Sequence, residues 1–195
     1  TENKIYTARK IIIATGRKPK KLGIEDNYIN KGVSYCAICD GALYKDKIVA
    51  VVGSGDSAVS SAIYLSKICK KVYLLVRKDT LKAKDYLVSK LNEKVTVLFN
   101  KNVTNLYGED KLEYVELNNE DKLNIDGLFI YIGSIPNTDI INVDKEDGYI
   151  LVDDKMMTSN PNIYACGDVI KKDVYQITTA ISDATIASIN CSKEL

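Results

Sequence analysis

The chain has 195 residues, 46% of them apolar, enough for one full core or for one complete domain and part of another. Its 27 Lys and Arg against 26 Asp and Glu leave a formal charge of +1, so no whole-molecule field draws it to nucleic acid or an anionic membrane. No apolar run approaches the ~18 residues that span a bilayer, and no basic stretch leads into an apolar signal core.

Residues 1–9 are polar, threaded with β formers. The run Ile11-Ile12-Ile13, closed by Ala14-Thr15-Gly16, predicts a buried parallel strand ending in a turn. No βα unit precedes it, so it reads as the tail of a domain that starts further upstream. Residues 17–34, with Pro19, Gly23 and Gly32, read as linker and loop. The segment from Cys36 to Leu43 is compatible with a helical turn. The spacing Cys36-x-x-Cys39 allows a disulfide across such a turn, and N–H groups facing Cys36 would stabilise its thiolate. Taken alone, the same spacing also suits half of a metal site. Asp40 follows at once. With no histidine in the chain, a Ser-His-Asp triad, a Cys-His protease and a histidine-ligated metal all lack a necessary residue. Cys69, Cys166 and Cys191 read as small buried hydrophobes, and five cysteines so placed are not a secreted disulfide scaffold.

A βαβ pattern follows. Ile48–Val52 is a continuous apolar strand, Asp56 to Cys69 a helix, and Val72–Val76 a second strand. Between the first two lies Gly53-Ser54-Gly55-Asp56-Ser57-Ala58. Gly53 permits the tight turn, Gly55 lets the backbone approach a pyrophosphate, and Ala58 permits close helix–strand packing. The phosphates belong at the helix N-terminus. At the end of the second strand Arg77 and Lys78, with Lys82 further on, replace the acid that would read a free ribose 2′-hydroxyl; the positive charges suit a 2′-phosphate instead. Thr80 is the expected cap of a helix running to about Leu91. Val95–Phe99 is another strand. Val103–Tyr107 and Leu112–Leu117 form a hairpin around Gly108-Glu109-Asp110, and 118–122 is a second turn. Leu128–Ile132 is a central strand ending at Gly133, and 134–138 is loop. Gly148–Val152 is a short strand, 157–162 is irregular, and Ile163–Cys166 is a strand before Gly167-Asp168. Asp168 suits either a ribityl or ribose hydroxyl or a capping role. Residues from about Gln176 to Leu195 read as a helix, with Ile177, Ala180, Ile181, Ala184, Ala187, Ser188 and Cys191 on one face.

In this order these pieces resemble the low-molecular-weight thioredoxin reductases: Ala14-Thr15-Gly16; Val33 through the Cys36-Ala37-Ile38-Cys39-Asp40-Gly41 run; Gly53 to Ala58; Arg77-Lys78; Ile132-Gly133 with Pro136-Asn137-Thr138; and Ala165-Cys166-Gly167-Asp168-Val169. The resemblance covers nearly the whole chain. It implies an α/β fold: a Rossmann-like NAD(P)-binding domain with a three-layer βα core, plus the C-terminal portion of an FAD-binding domain. The implied boundaries are 1–18 for the end of a first FAD segment and hinge, 19–133 for the NADPH domain with the dithiol, and 134–195 for the returning FAD segment. A first FAD segment with its own glycine fingerprint would then lie upstream of this sequence.

The resemblance further implies NADPH on Gly53, Gly55, Asp56, Ser57, Ala58, Arg77, Lys78, Lys82, Ile132 and Gly133, and FAD against Gly167, Asp168, Gln176 and Ile177. Electrons would pass from NADPH through FAD to a Cys36–Cys39 disulfide, entering at Cys39. Cys36 would open the disulfide of thioredoxin or a thioredoxin-like protein, with Asp40 as acid–base. Segments 16–19 and 133–137 would be hinges. The whole enzyme would be a cytoplasmic homodimer without metal, nucleic acid or membrane. The sequence departs from the family pattern at Ser54, at Val76-Arg77-Lys78, and at Tyr175, where an arginine is usual before the glutamine. The altered set at Val76-Arg77-Lys78 motivates a second reading, a flavin thioredoxin reductase fed by ferredoxin or another donor; a third, from another class, is a non-catalytic nucleotide-binding module.

Overall fold

The computed structural model describes residues 4–118 and 120–195. It begins with β1 (Ile11–Ile13), β2 (Arg17–Pro19), a 3-10 turn at Asp26–Tyr28, β3 (Val33–Ser34) and α1 (Ala37–Asp40). A second 3-10 turn at Gly41–Tyr44 leads to β4 (Ile48–Val52), α2 (Asp56–Ser66) and β5 (Lys71–Val76). Then come α3 (Asp85–Val88), β6 (Val95–Phe99), β7 (Val103–Tyr107), β8 (Tyr114–Leu117), β9 (Asp121–Asn124) and β10 (Gly127–Ile130). The chain ends through β11 (Ser134–Pro136), β12 (Lys145–Glu146), β13 (Tyr149–Ile150), β14 (Ile163–Ala165) and α4 (Ile177–Lys193). These elements form two compact units, one of residues 1–18 with 134–195, the other of residues 19–133. Among the described residues no helix is long and apolar enough to cross a membrane.

The unit of residues 19–133 is built on a parallel sheet in the order β3-β10-β4-β5-β6. The β-branched run of β4 has apolar residues on both faces because both faces are covered. Val49 and Val51 join Leu74, Val76 and Phe129 beneath α2. Ala50 and Val52 join Leu75, Leu128 and Ile130 on the opposite side, against Val103, Leu106, Val115 and Leu117. Three layers result: helix, parallel sheet, and the antiparallel meander β7-β8-β9, which serves as the crossover between β6 and β10. Each fully buried Val or Leu here contributes about 1.5–3 kcal/mol by leaving water. α2 packs closely because Ala58 and Ala62 are small and fully enclosed, with Val59 and Leu65 beside them.

In the other unit β1 pairs in parallel with β14, Ile13 opposite Ala165. Ile13, Ile150, Ala165, Val169 and Ile170 form its core. β12 pairs with β13, and β11 with β2.

Five expectations need correction. The strand expected to be buried at Ile11–Ile13 buries only Ile13, while Ile11 and Ile12 are exposed. The helix expected from Thr80 to Leu91 is a single turn, α3. The N–H groups of Lys82 and Ala83 donate to the Ser54 carbonyl at 2.8 and 2.9 Å, so the chain there is held to the glycine loop instead of coiling. Residues 17–34 are not all loop, and 134–138 includes a strand, since β2 and β11 satisfy each other. The helix expected to reach Cys69 ends at Ser66. Finally, α4 buries only Ala187 and Cys191 of its expected apolar face, against Tyr164 and Cys166; Ile177 and Ile181 are exposed. The turn expected at 118–122 includes residue 119, which lies outside the described residues, as do residues 1–3 of the polar start.

Candidate redox and nucleotide site

In the unit of residues 19–133, the carboxyl ends of four neighbouring parallel strands carry the candidate residues. β3 runs into Cys36, β4 into Gly53, β5 into Arg77, and β10 into Tyr131, Ile132 and Gly133. From β4 the chain moves to β5 on one side and later returns to β10 on the other. The β4–β10 gap is therefore the point where strand order reverses, and ligands of open α/β sheets bind at that crevice.

The turn after β3 is closed by a Cys36–Cys39 disulfide. Cys36 is the N-cap of α1, and its sulfur accepts the Cys39 N–H at 3.2 Å. The Cys36 N–H donates to Ser34 Oγ at 3.0 Å, and Ser34 Oγ donates to Asp40 Oδ2 at 2.6 Å. Ser34 thus joins the backbone of one cysteine to the carboxylate that follows the other. Ile38, between the cysteines, is 78% exposed, whereas Ala37 is fully enclosed and donates its N–H to the Tyr131 hydroxyl at 2.7 Å.

Just before β3, the buried Glu25 carboxylate accepts the N–H groups of Leu22, Gly23 and Ile24 and the hydroxyl of Tyr35. Burial by itself would raise the Glu25 pKa, but these donors hold it below the usual value. Burial and the Glu25 carboxylate push the Tyr35 phenol well above its usual range. A neutral tyrosine next to Cys36 is therefore pinned to a charged, saturated acid.

At the glycine loop, Gly53 has φ +147°, a conformation that L side chains rarely adopt. A Cβ there would press on the Tyr131 carbonyl oxygen and come within 2.8 Å of the Ala58 Cβ. Gly55 is the N-cap of the 11-residue α2, with Asp56, Ser57 and Ala58 in its first turn and no side-chain cap on its N–H groups. Such an end favours an anion. Asp56 Oδ1 accepts the Lys84 N–H, which together with the Ser54 carbonyl holds segment 82–84 beside the loop. The backbone past β5 is fixed too: Lys101 donates to the Val76 carbonyl and Asn100 to that of Lys78. Arg77, Lys78 and Lys82 form no ion pair among the described residues. Three cations on anchored backbone, beside a tight loop and an open helix N-terminus, could hold the phosphates of a nucleotide.

In the other unit, Ala14, Arg17, Gly167, Asp168, Tyr175 and Gln176 help line a cleft of about 550 Å3. Gly167 takes φ +78°, and Gln176 is the N-cap of the 17-residue α4, in a capping box with Thr179. The Asp168 carboxylate pairs with Arg17 at 3.1 Å, and the Arg17 guanidinium lies 4.4 Å from the Tyr175 ring centroid. Ile177 follows on the exposed side of the helix. A charged pair, a glycine backbone and a helix N-terminus could hold part of a nucleotide cofactor.

Sequence reasoning missed Ser34, Glu25, Arg17, Lys84 and Tyr131. Only Tyr131 had a local signal: one hydroxyl within the otherwise apolar run Leu128–Ile132 calls for a buried partner. Cys69, Cys166 and Cys191 are buried free thiols, with Cys69 pushed up to about 11 and Cys166 also raised, both chiefly by burial.

Residues 1–184 match the family of pyridine nucleotide-disulphide oxidoreductases. The thioredoxin reductase of Listeria innocua is 40% identical over 98% of this chain, which spans 64% of that relative's length. The crystal structure of Lactococcus lactis thioredoxin reductase superposes with a TM-score of 0.87 at 35% identity, covering all of this chain and 69% of that one. A ferredoxin-flavin thioredoxin reductase from Clostridium acetobutylicum is 33% identical, with a TM-score of 0.55 over 95% of this chain and 62% of its own. The chain belongs to the pyridine nucleotide-disulphide oxidoreductases, in their thioredoxin reductase branch.

Proposed function

We propose that this chain carries the dinucleotide-binding and dithiol parts of an NADPH-dependent thioredoxin-disulfide reductase, with residues 19–133 as the NADPH domain and 1–18 with 134–195 as part of the FAD domain. The observation that carries the reading is the Cys36–Cys39 disulfide lying at the same end of the sheet as the glycine loop and the Arg77, Lys78 and Lys82 cations, which form no ion pair among the described residues. NADPH would be held by Gly53, Gly55, Asp56, Ser57, Ala58, Arg77, Lys78, Lys82, Ile132 and Gly133. FAD would be held by Gly167, Asp168, Gln176 and Ile177, with Arg17 and Tyr175 added from the cleft. When bound, the two cofactors supply the electron pair that converts the disulfide into two thiols.

The chain's own residues do the rest. The Cys36 thiolate attacks one sulfur of the partner's disulfide; that bond breaks, a mixed disulfide forms, and the departing sulfur takes a proton. The Cys39 sulfur then displaces the partner from Cys36. The Cys36–Cys39 bond re-forms and the second partner thiol leaves, so two electrons and two protons have been transferred. The Cys39 N–H steadies charge on Cys36, and Asp40, linked through Ser34, handles the proton. The reading includes hinge motion at 16–19 and 133–137, a thioredoxin-like partner, and a cytoplasmic homodimer.

The test is an anaerobic titration of the flavin-loaded full-length protein with NADPH, followed by addition of thioredoxin; this chain alone, spanning 64% of its relative's length, is not expected to complete the cycle. Flavin bleaching followed by thioredoxin reduction, with the second step lost in Cys36→Ser, supports the assignment. Bleaching by reduced ferredoxin alone would replace NADPH with a donor like that of the Clostridium relative. Bleaching by neither would leave a nucleotide-binding module without this activity.

A further inference from the structure

Tyr131 touches both the redox turn and the glycine loop. Its hydroxyl accepts the Ala37 N–H at 2.7 Å. Its own N–H donates to the Val52 carbonyl at 2.8 Å, and its carbonyl lies where a side chain on Gly53 would have to go. Within the turn the Cys36 N–H finds Ser34, the Cys39 N–H finds the Cys36 sulfur, and the Asp40 N–H finds the Cys36 carbonyl. The bond from Ala37 ties the turn between the cysteines to Tyr131, as the Tyr35 hydroxyl ties its start to Glu25.

We propose that Tyr131 is a positioning residue that couples nucleotide affinity at Gly53 to the redox state of Cys36–Cys39. The proposal rests on the nucleotide and dithiol assignments above. With the disulfide closed, the turn is cross-linked and the Ala37 N–H is aimed at the phenol. Taking up two electrons and two protons opens the cross-link and frees the turn to move. The phenol, and the backbone it belongs to beside Gly53, then loses its fixed anchor. The disulfide form therefore binds nucleotide more tightly than the dithiol form, and by linkage bound nucleotide makes the disulfide harder to reduce.

The probe is NADP+, which binds without donating electrons. Calorimetry on the disulfide form and on the protein reduced by a phosphine should give dissociation constants differing by about fivefold, near the low end of site-to-site couplings. Saturating NADP+ should lower the dithiol midpoint by the matching ~20 mV for a two-electron couple. In Tyr131→Phe, which keeps the ring and removes the acceptor, the two constants should converge. Equal constants in the unsubstituted protein, or a difference that survives in Tyr131→Phe, overturn the coupling. No NADP+ binding to either form overturns it at its root, by removing the nucleotide assignment; that outcome is distinguishable from equal but measurable constants. If the variant folds poorly, the midpoint shift read on the unsubstituted protein still decides whether the two sites are coupled, and its absence overturns the proposal.

Discussion

Replacing the cations at the end of β5 is the sharpest test of which nucleotide the glycine loop takes. Arg77, Lys78 and Lys82 stand on backbone tied down by Asn100, Lys101 and the Ser54 carbonyl, and none is spent on an ion pair among the described residues. A hydrogen bond to a charged group is worth about 1.5–3 kcal/mol, and exposure at this surface argues for the lower end. Arg77→Ala or Lys78→Ala should therefore weaken NADPH about tenfold, and the double variant on the order of a hundredfold. NADH lacks the 2′-phosphate and should lose roughly threefold or less, because only the general positive field changes. The assay is a pair of dissociation constants, for NADPH and NADH, at low and at high salt. The NADPH losses should shrink as salt rises, since exposed charges are screened. Equal losses for the two nucleotides would refute the assignment of these residues to a 2′-phosphate. No loss for either would move the nucleotide away from this strand end altogether.

Three further outcomes follow from contacts in the same unit. Gly53→Ala forces an L side chain into φ +147° and against Ala58 and the Tyr131 carbonyl; strain and overpacking together should cost about 2–4 kcal/mol in urea unfolding and remove NADPH binding, and a change under about 0.5 kcal/mol would contradict that geometry. Glu25→Gln leaves three N–H groups facing an amide and should cost about 2–3 kcal/mol at pH 7. Because the folded Glu25 pKa lies below its ordinary value of 4.5, its ionised contribution is full above that value and is lost as pH falls through the folded one; the gap between variant and parent should narrow as pH is taken down from 4.5, and a gap constant with pH would refute the carboxylate's role. Cys69, buried beneath α2 with its thiol pushed up to about 11, should resist iodoacetamide at pH 8 while the reduced Cys36–Cys39 pair reacts, and labelling at comparable rates would show that the layer opens readily.

The parts legible in the sequence were those fixed by local chemistry. Ile48–Val52, the glycine loop and Lys71–Val76 declare themselves because a two-sided buried strand needs a continuous apolar run, and a tight strand-to-helix turn needs a residue without a side chain. The turn after Cys36 was readable from its spacing. What was not legible depends on contacts far apart in the chain. Nothing near Thr80 announces that the Ser54 carbonyl will take the N–H groups of Lys82 and Ala83, so propensity extended a helix that the loop shortens. Glu25 looks like any surface acid until the chain folds three N–H groups and Tyr35 around it. Ser134–Pro136 becomes a strand only because Arg17–Pro19, more than a hundred residues earlier, lies ready to pair. Arg17 likewise reaches Asp168 and Tyr175 by topology alone, putting a guanidinium in a cleft whose local sequence lacks one.

The order of the parallel strands explains why a single tyrosine can reach both chemical centres. β10 lies between β3 and β4, so its carboxyl end has the redox turn on one side and the glycine loop on the other. Adjacent strands are only about 4.8 Å apart, and a phenol projecting from the end of the middle one easily covers the distance to its neighbour. In sequence, Ala37 and Tyr131 are 94 residues apart. The meander β7-β8-β9 takes up much of that separation and returns the chain to the middle position. A helical crossover would cover the same face, but the position of β10 in the sheet is what sets two sites side by side. If that is the reason for the coupling, removing the hydroxyl just past the end of β10 should break it even where the turn and the loop are untouched. Tyr131→Phe does this with the loss of one oxygen atom.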